Sequence, residues 1–418
     1  MSKYVKQPQN KRHKKNETSL SLSSSSRSLS LLSHDVTLNC LSRLSRLDSA
    51  VLSLTSKSYS SLLVSHDFCR TRELMGCKEE YYYVCLSIPP YPTPRWFILR
   101  RGGPSLDDVA VAKKSVNRWL RPIPTYPYQP PESSSFVVLD YVIYVIGGVI
   151  QGTPTSDVLV LDCLSHSWRR IRSMRVARAS AAANVVDGKI YVFGGCKEFD
   201  SSNWAEVFDP KTQTWDTLIL PDLEICKNTS MIEKSVVIED KVYVVDEEEQ
   251  CFYYMPREGI WRRGIRDSKL GNRKDWCAIG KLLYCYGTRG KILWCEADEL
   301  DRCEAEELNW REVEGLGILQ FGSKACKRGI EESLAWKLHW TMNSFSRLSS
   351  NSRGNIVVFW KVLIPGTGKL QLWCAEISME RRSQGGGVCG TIEWTDAVSG
   401  LGPNSYTVKV LYSVSLNV

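Results

Sequence analysis

A glycine pair and a tryptophan recur together along this chain at one fixed interval. Gly147 and Gly148 close the apolar run "VIYVI", with Trp168 following in "HSWRRI"; Gly194 and Gly195 close "KIYVF", with Trp215 following in "QTWDTL". The step from Gly148 to Gly195 and from Trp168 to Trp215 is the same 47 residues. A period of this length marks a repeat architecture, in which each copy buries its apolar face only by stacking on the next.

The second copy can be read strand by strand. "SAAANVV" (180–186) is an apolar run, and Asp187-Gly188 is a favoured two-residue hairpin turn. "KIYVF" then runs to the glycine pair, "WAEVFDP" (204–210) alternates as a third strand, and "TWDTLIL" (214–220) supplies a fourth. Four antiparallel strands in one period make one sheet. Degenerate copies follow: "KVYVVDEEE" leads to Trp261, "KLLYCYGTRGKILWC" to Trp310, and "NIVVFWKV" with "KLQLWCAEI" to Trp394. Upstream, "YYYVCLSI" and "RWFIL", the latter with Trp96, add two strands. The last residues, "YTVKVLYSVSLNV" (406–418), alternate like a strand that has no sheet of its own. Pairing them with the 80–100 segment completes a sheet and removes an open edge.

The glycines do not read as a phosphate loop. That chemistry needs a spaced G-x-G-x-x-G opening a helix, and "VIQGTPTSDVLVLD" follows Gly148 instead. They read as packing devices, a flexible pair without side chains that leaves room beside a large buried tryptophan.

A glycine pair after the second strand, an alternating third strand and a tryptophan opening the fourth resemble the kelch repeat. The likeness is clearest over 136–173 and 179–220 and weaker from 230 to 398. It implies that residues 80–418 form an all-β propeller of about six blades, with binding loops on one face. Arg175 and Arg178 in "MRVARAS" precede a first strand and are candidate contacts for a carboxylate or acidic peptide, or else solvated or structural arginines. "DEEE" (246–249) stands where a glycine pair is due, marking a charged turn or a surface for a basic partner.

Ahead of the strands, Leu32 to Gly76 carries apolar residues at helical spacing. Ser33, Asp48 and Ser65 are placed to cap three helices bearing Val36, Leu41 and Leu44, then Leu52, Tyr59, Leu62 and Leu63, then Phe68 and Leu74. So short a segment makes a poor core, so Leu38, Leu41 and Leu54 are expected to stay open for a partner. "DV", "LNCLSRLSRLD" and "SKSYSSLL" resemble an F-box, a small all-α three-helix module over 32–76. The resemblance implies docking on the Skp adaptor of a cullin–RING ubiquitin ligase through Leu32, Val36, Leu38, Leu41, Leu44, Leu52, Leu54, Lys57 and Tyr59. The family's opening Leu-Pro is Leu32-Ser33 here, which leaves the first turn less pre-set in φ and implies weaker adaptor affinity. The order F-box then kelch resembles plant F-box/kelch-repeat proteins.

Residues 1–31 are basic and serine-rich, too poor in apolar surface to fold, and read as a disordered tail. "KRHKK" (Lys11 to Lys15) fits a solvated basic tail or a nuclear import signal, and the acid-poor start also fits a transit peptide. The formal charge of +8 sits mostly in this tail, so a nucleic-acid footprint on the body is not expected. Fifteen cysteines with no C-x-x-C read as reduced thiols of a cytoplasmic or nuclear protein. No stretch is apolar enough to span a bilayer, so no membrane role and a soluble chain are expected. No metal-ligand cluster, G-x-S-x-G or Walker motif occurs, so no catalytic residue, metal or cofactor is assigned. Three readings stay open: a ligase adaptor presenting an unknown target, a kelch scaffold without ligase function, and a decayed paralogue without substrate.

Overall fold

The computed structural model describes residues 32–101, 118–197, 203–218, 232–246, 250–266, 274–287, 291–301, 308–316, 347–364, 369–382, 386–399, 401 and 408–418. The 1–31 tail with "KRHKK", Glu247 to Glu249 of "DEEE", and Tyr406 and Thr407 lie outside them. The chain divides between Cys77 and Lys78 into two compact units.

The first unit holds four helices rather than the expected three: α1 (His34–Ser42), α2 (Arg46–Ser53), α3 (Lys57–Leu63) and α4 (His66–Leu74). A serine precedes each one. Ser33, Ser45, Ser56 and Ser65 accept from the backbone N–H of Val36, Asp48, Ser58 and Phe68, satisfying donors that a helix start leaves free. Ser45 therefore caps α2, and Asp48 does not. Asp48 sits one turn in, where its carboxylate accepts from the Ser45 hydroxyl at 2.7 Å and suits the positive helix end. α1 buries Thr37, Leu38, Leu41 and Ser42; α4 buries Phe68, Cys69 and Arg72. The Arg72 guanidinium donates to the carbonyls of Ser42, Leu44 and Cys77 at 3.3, 2.7 and 2.5 Å, closing the free end of α1.

The second unit is built of antiparallel four-stranded meanders. Ser135–Leu139, Val142–Ile146, Val158–Asp162 and Ser167–Ile171 form one sheet; Ala182–Val186, Lys189–Phe193, Ala205–Asp209 and Thr214–Leu218 form the next. Each strand of the second sheet begins 47 residues after its counterpart, from Ser135 and Ala182 to Ser167 and Thr214. Two more sheets follow over 232–266 and 274–312. The remaining strands form an eight-stranded sheet. Arg347–Ser350, Ile356–Ile364, Lys369–Arg381 and Val388–Ser399 make one half; Arg118–Pro122, Arg95–Arg101, Glu80–Ser87 and Lys409–Asn417 make the other. The halves meet through a two-residue parallel contact, Val398 with Arg118 and Ser399 with Trp119. The C-terminal strand thus pairs with Glu80–Ser87, and Arg118–Pro122 is a fourth strand the sequence pattern had not revealed.

The first strands of successive sheets lie against one another, and apolar clusters fill the space between each sheet and the next. Trp168, Trp215 and Trp261 are each the second residue of an outer strand and pack against the preceding sheet. Trp310 comes just before its outer strand, and Trp394 lies in the middle of Val388–Ser399 rather than opening it. Trp96 sits on a third strand and is no outer-strand marker.

The glycines do not make room for these rings. Gly147 and Gly148 have φ of +58° and +113°, Gly194 and Gly195 +66° and +70°, all in the region that favours glycine. A Cβ on Gly148 would lie 2.8 Å from the Glu132 carbonyl, and one on Gly195 would lie 2.6 Å from that of Ala179. Their amides are in use too: Gly148 N–H donates to Arg178 O at 2.8 Å and Gly194 N–H to Trp204 O at 2.9 Å. The pairs are backbone crossings between loops, with the tryptophans packed elsewhere.

Candidate functional site

Two surfaces carry the residues singled out from the sequence. On the helical unit, Leu32, Val36 and Leu54 are exposed, Leu54 at 87%. Lys57 is exposed as well, and Leu44, Leu52 and Tyr59 are half-buried. Leu38 and Leu41, expected to stay open, are only 5% and 2% exposed. The reason is periodicity: Leu38, Leu41 and Ser42 share the α1 stripe turned inward, and Val36 and Cys40 lie four apart on the outer stripe. Val51, 60% exposed, was missed. It stands on α2 three residues before Leu54, the residue that caps the helix C-terminus in helical geometry, a spacing that puts both on one side.

On the strand unit, the segment joining the 135–171 and 182–218 sheets holds both candidate arginines, and they part company. Arg178 is 1% exposed and its partner Glu206 0%. Its Nε and Nη2 donate to Glu206 Oε1 at 3.2 and 2.9 Å. Nη1 donates to the carbonyls of Gly194 and Trp204 at 2.6 and 2.9 Å, and Nη2 to that of Asn203 at 2.5 Å. Every guanidinium N–H is therefore engaged, and Arg178 cannot meet a ligand. The other Glu206 oxygen accepts the Arg175 backbone N–H at 2.7 Å, and Oε1 also accepts that of Val176 at 3.2 Å. Arg175 itself is exposed, with Nε donating to Trp215 O at 3.1 Å. Glu206 had no sequence motif to announce it. Its one signal was a carboxylate inside the otherwise apolar "WAEVF".

A second buried carboxylate, Glu376, lies 4% exposed where the two halves of the eight-stranded sheet face each other. Tyr82 OH donates to it at 3.1 Å, Trp394 Nε1 at 2.6 Å, and the Asn351 and Asn355 amides each at 2.8 Å. Burial pushes its pKa up, and these donors outweigh that and hold it below the usual glutamate value.

Among the described residues, no group of three or more His, Cys, Asp or Glu side chains could hold a metal ion. The described cysteines are thiols and mostly buried, and burial pushes the Cys277 thiol up to about 11. His166 is half-buried, its Nε2 3.2 Å from the Tyr83 hydroxyl. No helix among the described residues is long and apolar enough to cross a membrane.

Repeated four-stranded meanders, packed sheet on sheet and following a small helical unit in chain order, define a kelch-repeat β-propeller protein, and the FKB95, Kelch-repeats domain family matches residues 96–399. The comparison with whole proteins adds the helical unit. The chain is 35% identical to the putative F-box/kelch-repeat protein At3g24610 of Arabidopsis thaliana, covering 99% of this chain and 98% of that protein. It is also 35% identical to the F-box/kelch-repeat protein At4g39580 of the same plant, over 90% and 91% of the two chains. This chain belongs to the F-box/kelch-repeat family.

Proposed function

We propose that this protein is the substrate-recognition subunit of an SCF-type cullin–RING ubiquitin ligase. The helical unit docks on a Skp-type adaptor, and the propeller holds a target protein for ubiquitin transfer by other subunits. Catalysis then comes from proximity, through a raised effective concentration of target near the charged conjugating enzyme. No residue of this chain takes part in bond making. The propeller has six blades, counting each half of the eight-stranded sheet as one and the C-terminal strand as the closing strand. Buried cysteines kept as thiols fit action in the cytoplasm or nucleus.

The carrying observation is how many apolar side chains are left open on so small a helical unit: Leu32, Val36, Val51 and Leu54, with Val64 and Leu74 exposed as well. Exposed leucine and valine of this number on short helices mark a partner surface. The test is co-purification of the full chain with a Skp-type adaptor. Leu54→Asp is expected to weaken capture by at least about tenfold, because a leucine buried on docking is worth about 1.5–3 kcal/mol. Its exposure means that the circular dichroism spectrum and melting temperature should not change. Absence of capture by the unsubstituted chain refutes the proposal. Leu41→Asp is unsuitable, since burying that charge would unfold the unit.

A further inference from the structure

We infer that Arg169, Arg172 and Arg175 form a basic docking strip on the propeller, and that its occupant is an acidic peptide segment of the target. The inference rests on the substrate-recognition reading above and gives the class of target segment.

All three side chains are exposed. Arg169 lies on the outer strand Ser167–Ile171, and Arg172 and Arg175 follow it toward the next sheet. Two nearby cations along the chain do have partners: Arg170 pairs with Asp157, and Lys189 with Asp209. No ion pair joins Arg169, Arg172 or Arg175 to any described carboxylate. Asp216, beside Trp215 on the neighbouring outer strand, is exposed and pairs with none of them.

The strip is also held in place. Trp215 Nε1 donates to Arg172 O at 2.9 Å, and Trp215 O accepts from Arg175 Nε at 3.1 Å, so one residue fixes two of the three arginines. Glu206 binds the Arg175 and Val176 amides, and Arg178 locks Glu206. The arginine first taken for a ligand contact is thus a positioning residue for the arginines beside it. A backbone already fixed has no ordering left to lose on binding, and the planar guanidinium fork pairs with both oxygens of a carboxylate. Three such charges within seven residues, one on the outer strand and two in the connection after it, suit an extended segment with repeated acidic side chains.

The test uses the full chain with its Skp-type adaptor and a fluorescein-labelled Glu-Gly repeat peptide, read by fluorescence anisotropy at near-physiological salt. The expected result is binding that the triple variant Arg169→Glu, Arg172→Glu, Arg175→Glu lowers by roughly tenfold or more. The control variant Arg262→Glu, Arg311→Glu, which changes exposed arginines of other outer strands, should stay within about twofold. A Lys-Gly repeat should not bind. Failure of the Glu-Gly repeat to bind, equal losses in the two variants, or a preference for anionic vesicles or duplex DNA over the peptide overturns the inference. Adaptor capture is measured on the same samples and should survive in the triple variant, so a failed strip and a failed ligase reading give different results.

Discussion

Replacing Arg178 by methionine keeps most of the side-chain volume and removes the charge from the most enclosed ion pair among the described residues of the propeller. Arg178 is 1% exposed and Glu206 0%, so solvent screens neither. The substitution leaves Glu206 buried with the Arg175 and Val176 amides as its remaining donors. It also withdraws donors from the carbonyls of Gly194, Trp204 and Asn203. Breaking a buried pair by deleting one partner costs about 3–5 kcal/mol, most of it the burden of the stranded charge. Glu206→Gln keeps shape and acceptor and should cost less, about 1.5–3 kcal/mol for hydrogen bonds that lose their charge assistance. The assay is urea unfolding of both single variants and the double variant, followed by tryptophan fluorescence. The double variant should lose less than the two single losses combined, with a coupling above about 1 kcal/mol. A loss below about 1 kcal/mol for Arg178→Met, or additive losses, would refute the claim that this pair holds the loop.

Gly148→Ala should destabilise the propeller by at least about 2 kcal/mol in the same unfolding assay, because φ of +113° strains any Cβ and the new methyl meets Glu132 O, Pro130 Cβ and Ser134 Oγ. Gly188→Ala is the comparison: its φ of +72° is strained too, but nothing lies within 4 Å of the added methyl, so the loss should be smaller. Glu376 makes stability depend on pH. Its folded pKa is lowered, so its contribution is full above the unfolded value of 4.5 and declines as pH falls from there through the folded value. Glu376→Gln should therefore lose most at neutral pH, and the gap to the parent chain should narrow under acid; a gap constant between pH 7 and pH 3 would contradict this.

Repetition was legible because it is a property of spacing. The hairpin turn at Asp187-Gly188, the four strands of the second copy and the strand at the C-terminus each follow from local alternation and turn chemistry. Helix starts were half legible: Ser33 and Ser65 were read, but Ser45 was passed over for Asp48, since in a serine-rich stretch several residues can cap and only the final register selects one. Arg118–Pro122 hid because arginine and proline break the apolar pattern of a strand whose pairing partner supplies the order.

The sequence by itself determined that the chain is a helical unit followed by repeated four-stranded sheets, because periodicity and turn residues act over a few neighbours. Tertiary structure alone decided what the singled-out residues do. Leu41 went inside and Val51 outside because packing takes one stripe of each short helix. Arg178 met Glu206 across 28 residues, and its burial turned a candidate ligand contact into the anchor of its own loop. The glycine pairs proved to serve backbone crossings that exist only once neighbouring repeats have stacked, a long-range contact that no local pattern encodes.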